Sequence, residues 1–106
     1  MEFATLIPIQ LNDGTPLTEA QLGDIVTRLA FQFGGCTVVG NVSGHWIDSR
    51  DGKHYQDASI MIRVVCDRSR YEEARNVVIE IGRELNQKAM YFEVRYFDGI
   101  EFIDLE

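Results

Sequence analysis

A chain of 106 residues with 45% hydrophobic and 25% charged side chains has the size and balance of one globular domain and leaves no room for a second. Seventeen acidic residues against ten basic ones, a net charge of −7, argue against a nucleic-acid backbone or an anionic membrane surface as partner. No apolar run approaches the roughly 20 residues of a membrane span and the first residues carry no basic leader region, so the expected location is the cytoplasm. Cys36 and Cys66 show no Cys-x-x-Cys or Cys/His ligand spacing, which predicts buried thiols in a reducing compartment.

Phe3 to Leu11 alternates, with Phe3, Thr5, Ile7, Ile9 and Leu11 on one face; Pro8 on the other suggests an edge or partly unpaired strand. Asn12 to Pro16 reads as a turn. Thr18-Glu19-Ala20-Gln21 matches a capping box, and Leu22, Ile25, Val26, Leu29, Ala30 and Phe33 follow at helical spacing, predicting a helix over 19–33 that Gly34-Gly35 ends. Cys36 to Trp46 and His54 to Cys66 read as strands joined through Asp51-Gly52, a strong hairpin signal. Ser69 to Glu72 is a second capping box, opening a helix over 70–86 with Tyr71, Ala74, Val78, Ile81 and Leu85 as its apolar stripe. Met90 to Phe97, Asp98-Gly99 and Ile100 to Leu105 predict a final hairpin.

The order β-α-β-β-α-β with an extra C-terminal strand predicts an α+β, ferredoxin-like split β-α-β domain over 1–106. Two helices with one apolar stripe each cover one face of its antiparallel sheet, so the other meets solvent, a ligand or a second subunit. A two-residue turn at Asp51-Gly52 would pair Asp48 with Tyr55 and Trp46 with Asp57. It would put Trp46, Asp48, Tyr55, Asp57, Ser59, Met61, Arg63 and Val65 on the open face, joined by Tyr91, Glu93, Arg95 and Phe97; a bulge at Ser43-Gly44 would change these partners. Gly40 and Gly44 then thin the strand where a ligand could approach, Trp46 and Tyr55 supply flat walls, and Asp57, Arg63 and Glu93 supply charge. The bland alternative is that the glycines coil the sheet and the aromatics are ordinary cross-strand packing. His45 and His54 are expected to point apart and hold no metal, and the sequence has neither a phosphate-binding glycine loop nor a Gly-x-Ser-x-Gly elbow.

Gly35-x-Thr37 at a strand start, Gly44-x-Trp46, the carboxylate of Asp57, and Ile62 to Asp67 before a helix resemble a group of small bacterial and phage proteins. The same residues distantly resemble the phage S-adenosylmethionine lyases, over about 34–94. The resemblance implies a ferredoxin-like homo-oligomer, a trimer or a dimer, with its site between subunits, a small-molecule ligand such as S-adenosylmethionine, and no cofactor. Trp46 and Asp57 stand where the lyases carry a Tyr and a Glu eleven residues later, and Tyr55 is the residue that could restore a hydroxyl. The implied catalytic residues are Asp57, Tyr55 and Glu93, and the implied ligand contacts Trp46, His45, Gly44, Asp48 and Arg63. Self-association also fits the apolar area that Leu6, Met61, Val65, Tyr91 and Phe97 would give the open face. A noncatalytic interaction protein of a phage or mobile element, acting through its acidic surface and exposed aromatics, is the competing reading; it needs a flat patch where an enzyme needs a concavity.

Overall fold

A computed structural model describes residues 1–105. Strands β1 (Glu2–Pro8), β2 (Thr37–Ile47), β3 (His54–Val65) and β4 (Phe92–Arg95) alternate with helices α1 (Glu19–Phe33) and α2 (Tyr71–Glu84) in the order β1-α1-β2-β3-α2-β4. The sheet runs β2-β3-β1-β4 with every neighbouring pair antiparallel, a ferredoxin-like arrangement. The register aligns Phe3 with Val64 and Val94, and Thr5 with Ile62 and Phe92, so these side chains share the face beneath the helices. Ile25, Leu29, Phe33, Ala74, Val78 and Ile81 close on them from above. The Phe3 ring meets Phe33 edge-on at 5.2 Å and is fully buried, which contributes about 1.5–3 kcal/mol of burial.

Local signals explain how α1 begins and ends. Thr18 Oγ1 accepts the Gln21 N–H at 3.0 Å, Gln21 Oε1 accepts the Thr18 N–H at 2.8 Å, and Gly34 closes the helix at φ 86°. The second capping box does not form. Asp67, two residues upstream of Ser69, takes the Ser69 N–H at 2.8 Å and opens a 3₁₀ turn over Arg68–Arg70, so α2 starts without a side-chain cap.

Other expectations are also corrected. β1 is an interior strand and not an edge, but it is partly unpaired, the other alternative expected: β4 reaches only Thr5, and Pro8, the last residue, is paired only with Ser59. The predicted strand over Ile100–Leu105 is absent. Residues 96–105 form no strand, leaving Phe102 and Leu105 each 92% exposed. Cys36 and Cys66 are free and half-buried rather than buried.

The β2–β3 connection is wider than the two-residue turn expected. Asp48 accepts the Arg50 N–H at 2.7 Å and Asp51 the Lys53 N–H at 2.8 Å, two side-chain turns that stretch the loop to span Asp48–Lys53. Trp46 therefore faces Tyr55, and Gly44 faces Asp57. The shift is two residues, so the strand faces stay as predicted. The bulge lies between Val38 and Gly40, not at Ser43-Gly44, with Gly40 at φ 127°.

Because β1 stops opposite Ser59, the β2–β3 pairing from Ser43/Ala58 to Ile47/His54 continues as a two-stranded ribbon with no third strand beside it. Five residues of strand give this arm roughly 13 Å before its loop. The molecule is correspondingly long, 55 × 30 × 26 Å.

Candidate functional site

The open face of the sheet is ordered into rows by register. Thr37, Arg63, Ala4 and Glu93 form one row; Gly40, Met61 and Leu6 the next; then Val42, Ser59 and Pro8, then Gly44 and Asp57, and at the arm's end Trp46 and Tyr55. Of the set expected on this face, the residues on strands β3 and β4 and Trp46 on β2 occupy it. Asp48 does not, because it has left the strand for the loop, and Phe97 lies beyond β4.

At the arm, the Trp46 and Tyr55 rings stack at 4.7 Å between centroids and 19° between planes. Trp46 Nε1 donates to Asp57 Oδ2 at 2.8 Å. Asp57 leans diagonally toward the indole because its direct partner, Gly44, has no side chain to fill the gap. A Cβ built on Gly44 would come no nearer than 3.9 Å to the Asp57 carbonyl oxygen, so the glycine leaves space rather than relieving a clash. The Tyr55 hydroxyl donates to Asp51 Oδ2 at 2.6 Å, which raises the Tyr55 phenol above its ordinary value and, through the same bond, lowers Asp51. Tyr55 is thus a neutral phenol whose proton is already committed to the loop. Trp46 and Tyr55 remain 46% and 37% exposed, an aromatic plate with one face toward solvent.

At the other end, Arg63 Nη1 donates to Glu2 Oε1 at 3.3 Å, while its Nε is buried without a partner among the described residues. Glu93 accepts the Tyr91 hydroxyl at 2.7 Å and the Arg95 Nε, and these bonds, Tyr91 first, hold its carboxyl below the usual range. Along β3, Asp57 and Arg63 are six residues apart, roughly 20 Å, and Glu93 lies two strands further, roughly 10 Å across. The arm therefore brings Trp46, Tyr55, Asp57 and Gly44 together, and leaves Arg63 and Glu93 in a separate charged group. One small ligand on one chain cannot touch both.

His45 is not on this face. Its register position places it on the other side of the ribbon, where its Nδ1 lies 2.9 Å from His54 Nε2 and the rings stack at 5.1 Å. The expectation that the imidazoles point apart is overturned, because the two-residue shift makes them diagonal neighbours on one face. They have no third potential metal ligand in reach among the described residues. Asp48 is tied to Arg50 in the loop, whose bonds hold its carboxyl low. Sequence reasoning missed this histidine pair and the ribbon itself; the early stop of β1 at Pro8 was the available signal for the ribbon.

No family model matches the sequence, and no curated protein does. Solved structures do: a phage SAM lyase in complex with S-methyl-5'-thioadenosine aligns at TM-score 0.64 and 10% identity over 86% of this chain and 76% of that one. A phage SAM lyase in the apo state aligns at TM-score 0.57 and 12% identity over 86% and 75%. At that identity the likeness is one of fold.

Proposed function

We propose that the aromatic plate of the arm binds an adenosyl compound and that the chain is an S-adenosylmethionine lyase whose complete site spans two copies. The observation that carries the reading is the Trp46–Tyr55 stack with Asp57 fastened to its edge, standing on a fold whose solved neighbour holds methylthioadenosine. Stacked rings offer a face to an adenine and negative quadrupole density to a sulfonium. Asp57 adds an anionic acceptor for the substrate's ammonium or ribose hydroxyls.

The reaction needs little else from the protein. A carboxylate oxygen of the substrate attacks its own γ-carbon, the carbon–sulfur bond breaks with its electron pair going to sulfur, and homoserine lactone and methylthioadenosine leave without an added proton. Holding the carboxylate in line with the breaking bond is the main contribution, since orientation alone accounts for large effective molarities in such closures. Tyr55, a phenol already bound to Asp51, acts here as a ring and not as a base. In this reading Glu93 and Arg63, too far from Asp57 to share one ligand on one chain, would reach it only across a boundary between copies of a trimer or a dimer.

Calorimetric titration with S-adenosylmethionine, followed by chromatography for methylthioadenosine, tests the reading. Binding with product supports it; no heat at millimolar ligand and no product remove it. A second reading rests on the arm's shape: neither lobe of the Trp46–Tyr55 plate is enclosed, and an exposed Trp and Tyr at the end of an arm suit a protein partner. Loss of a partner's binding on Trp46→Ala in a chain that ignores adenosyl ligands would favour it.

A further inference from the structure

A cleft of about 230 Å³ opens on the helix-bearing side, between α2 and the segment entering β4, away from the open sheet face. Arg75, Ile79 and Arg83 line it at four-residue intervals, one stripe of α2. Met90 and Phe92 form the opposite wall and Lys88 its rim. Its volume is below the roughly 300–1,000 Å³ of drug-sized sites, but it has room for a ring side chain.

Of the five cations that make no ion pair among the described residues, three gather at this cleft; the other two are Lys53 and Arg68. Five of the ten in the chain, Arg28, Arg50, Arg63, Arg70 and Arg95, sit in ion pairs, and Arg68 covers the Tyr96 ring. Among the described residues, Arg75, Arg83 and Lys88 lie within 4.0 Å of no carboxylate. In a chain of net charge −7, three uncompensated cations gathered around an apolar hollow call for an anionic, apolar occupant.

The chain carries such an occupant. Residues 100–106, Ile-Glu-Phe-Ile-Asp-Leu-Glu, alternate acids with large apolar side chains. Ile100, Phe102, Ile103 and Leu105 are all exposed, more apolar surface than so short a segment leaves bare without a partner. No residue of 96–105 lines the cleft of its own chain. The segment follows Arg95 at the end of β4, whereas the cleft borders Phe92 at its start.

We propose that the acidic, apolar C-terminal segment of one copy docks in the cation-rimmed cleft between α2 and β4 of a second copy. Phe102 fills the hollow against Met90 and Phe92, and Glu101 and Asp104 meet Arg83 and Lys88. Such a head-to-tail contact either closes into a ring or a reciprocal pair or extends as a chain. It stands independently of the adenosyl reading.

The test combines light scattering over a range of concentrations with a labelled peptide of residues 98–106. The full chain is expected to gain mass with concentration. A chain ending at residue 97, and the full chain carrying Arg83→Glu with Lys88→Glu, are expected to lose that gain. The peptide is expected to bind the shortened chain, and to bind about tenfold more weakly once the two cations are reversed or its Phe102 is replaced by Ala. Glu101→Lys with Asp104→Lys in the peptide should then restore binding to the reversed cleft, which a merely misfolded variant would not do. An unchanged mass on truncation, no peptide binding at hundreds of micromolar, or peptide binding with a full chain that stays monomeric, meaning docking on its own cleft, would each overturn the proposal.

Discussion

Asp57 reaches Trp46 across the ribbon, with 2.8 Å between Oδ2 and the indole Nε1, although the two residues are not register partners. Gly44, directly opposite Asp57, makes that diagonal available. The arm's chemistry thus depends on a residue that contributes no atoms to it. Gly44→Thr is expected to fill the gap and part the pair, seen as a change in the emission of Trp46, the chain's single tryptophan. Gly44→Ala, which meets nothing closer than 3.9 Å, should leave the spectrum unaltered.

Gly82 tests packing with an unusual sign. In a helix interior Gly→Ala ordinarily stabilises by about 0.5–1 kcal/mol. Here a Cβ would stand 2.4 Å from Met90 Cγ, and overpacking of this kind costs about 1–3 kcal/mol. Urea denaturation should find Gly82→Ala destabilised, and Met90→Val in the same chain should recover much of the loss. A simple gain in stability would show that Met90 moves aside freely.

Thr5 is fully buried beneath the helices and its hydroxyl donates to the Tyr91 carbonyl at 2.8 Å, tying the start of β4 to the centre of the sheet. Thr5→Val keeps the shape and removes the bond. The expected cost is about 1 kcal/mol, read from the denaturant midpoint at constant slope.

Glu73 supplies the pH dependence. Hydrogen bonds from Arg70, and then from Gln32, pull its carboxyl from 4.5 down to about 2. A depressed folded-state value contributes stability that is present above the unfolded value and lost as pH falls through the folded one. Glu73→Gln should therefore melt below the parent chain at neutral pH, and the gap should narrow between about pH 4.5 and 2. Since the pair lies partly in solvent, added salt should shrink the gap as well.

The helices, strand order and faces of the sheet were legible because they follow from periodicity: the Leu22–Phe33 stripe, the alternation of Ala58 to Val64, and the Thr18 box each carry their own local signal. What failed was decided by competition between neighbours. Asp67 outbid Ser69 for a cap, and Asp48 and Asp51 each bound a backbone N–H two residues on, which widened the turn and moved Trp46 from Asp57 to Tyr55. Trp46, Tyr55 and Asp57 stayed on the expected face because a two-residue slip preserves the face, whereas His45 and His54 were misjudged for the same reason, since the slip made them neighbours. Ile100 to Leu105 look like a strand on composition, yet the large apolar side chains Ile100, Phe102, Ile103 and Leu105 stay exposed.

The most direct test of the central claim is calorimetric titration of the chain with S-adenosylmethionine, repeated for Asp57→Asn and for Asp24→Asn, a carboxylate on the exposed side of α1. Saturable heat is predicted for the parent and for Asp24→Asn alike, with affinity reduced about tenfold or more in Asp57→Asn. No heat at millimolar ligand, or equal affinity in all three chains, would contradict the assignment of the arm as the adenosyl site.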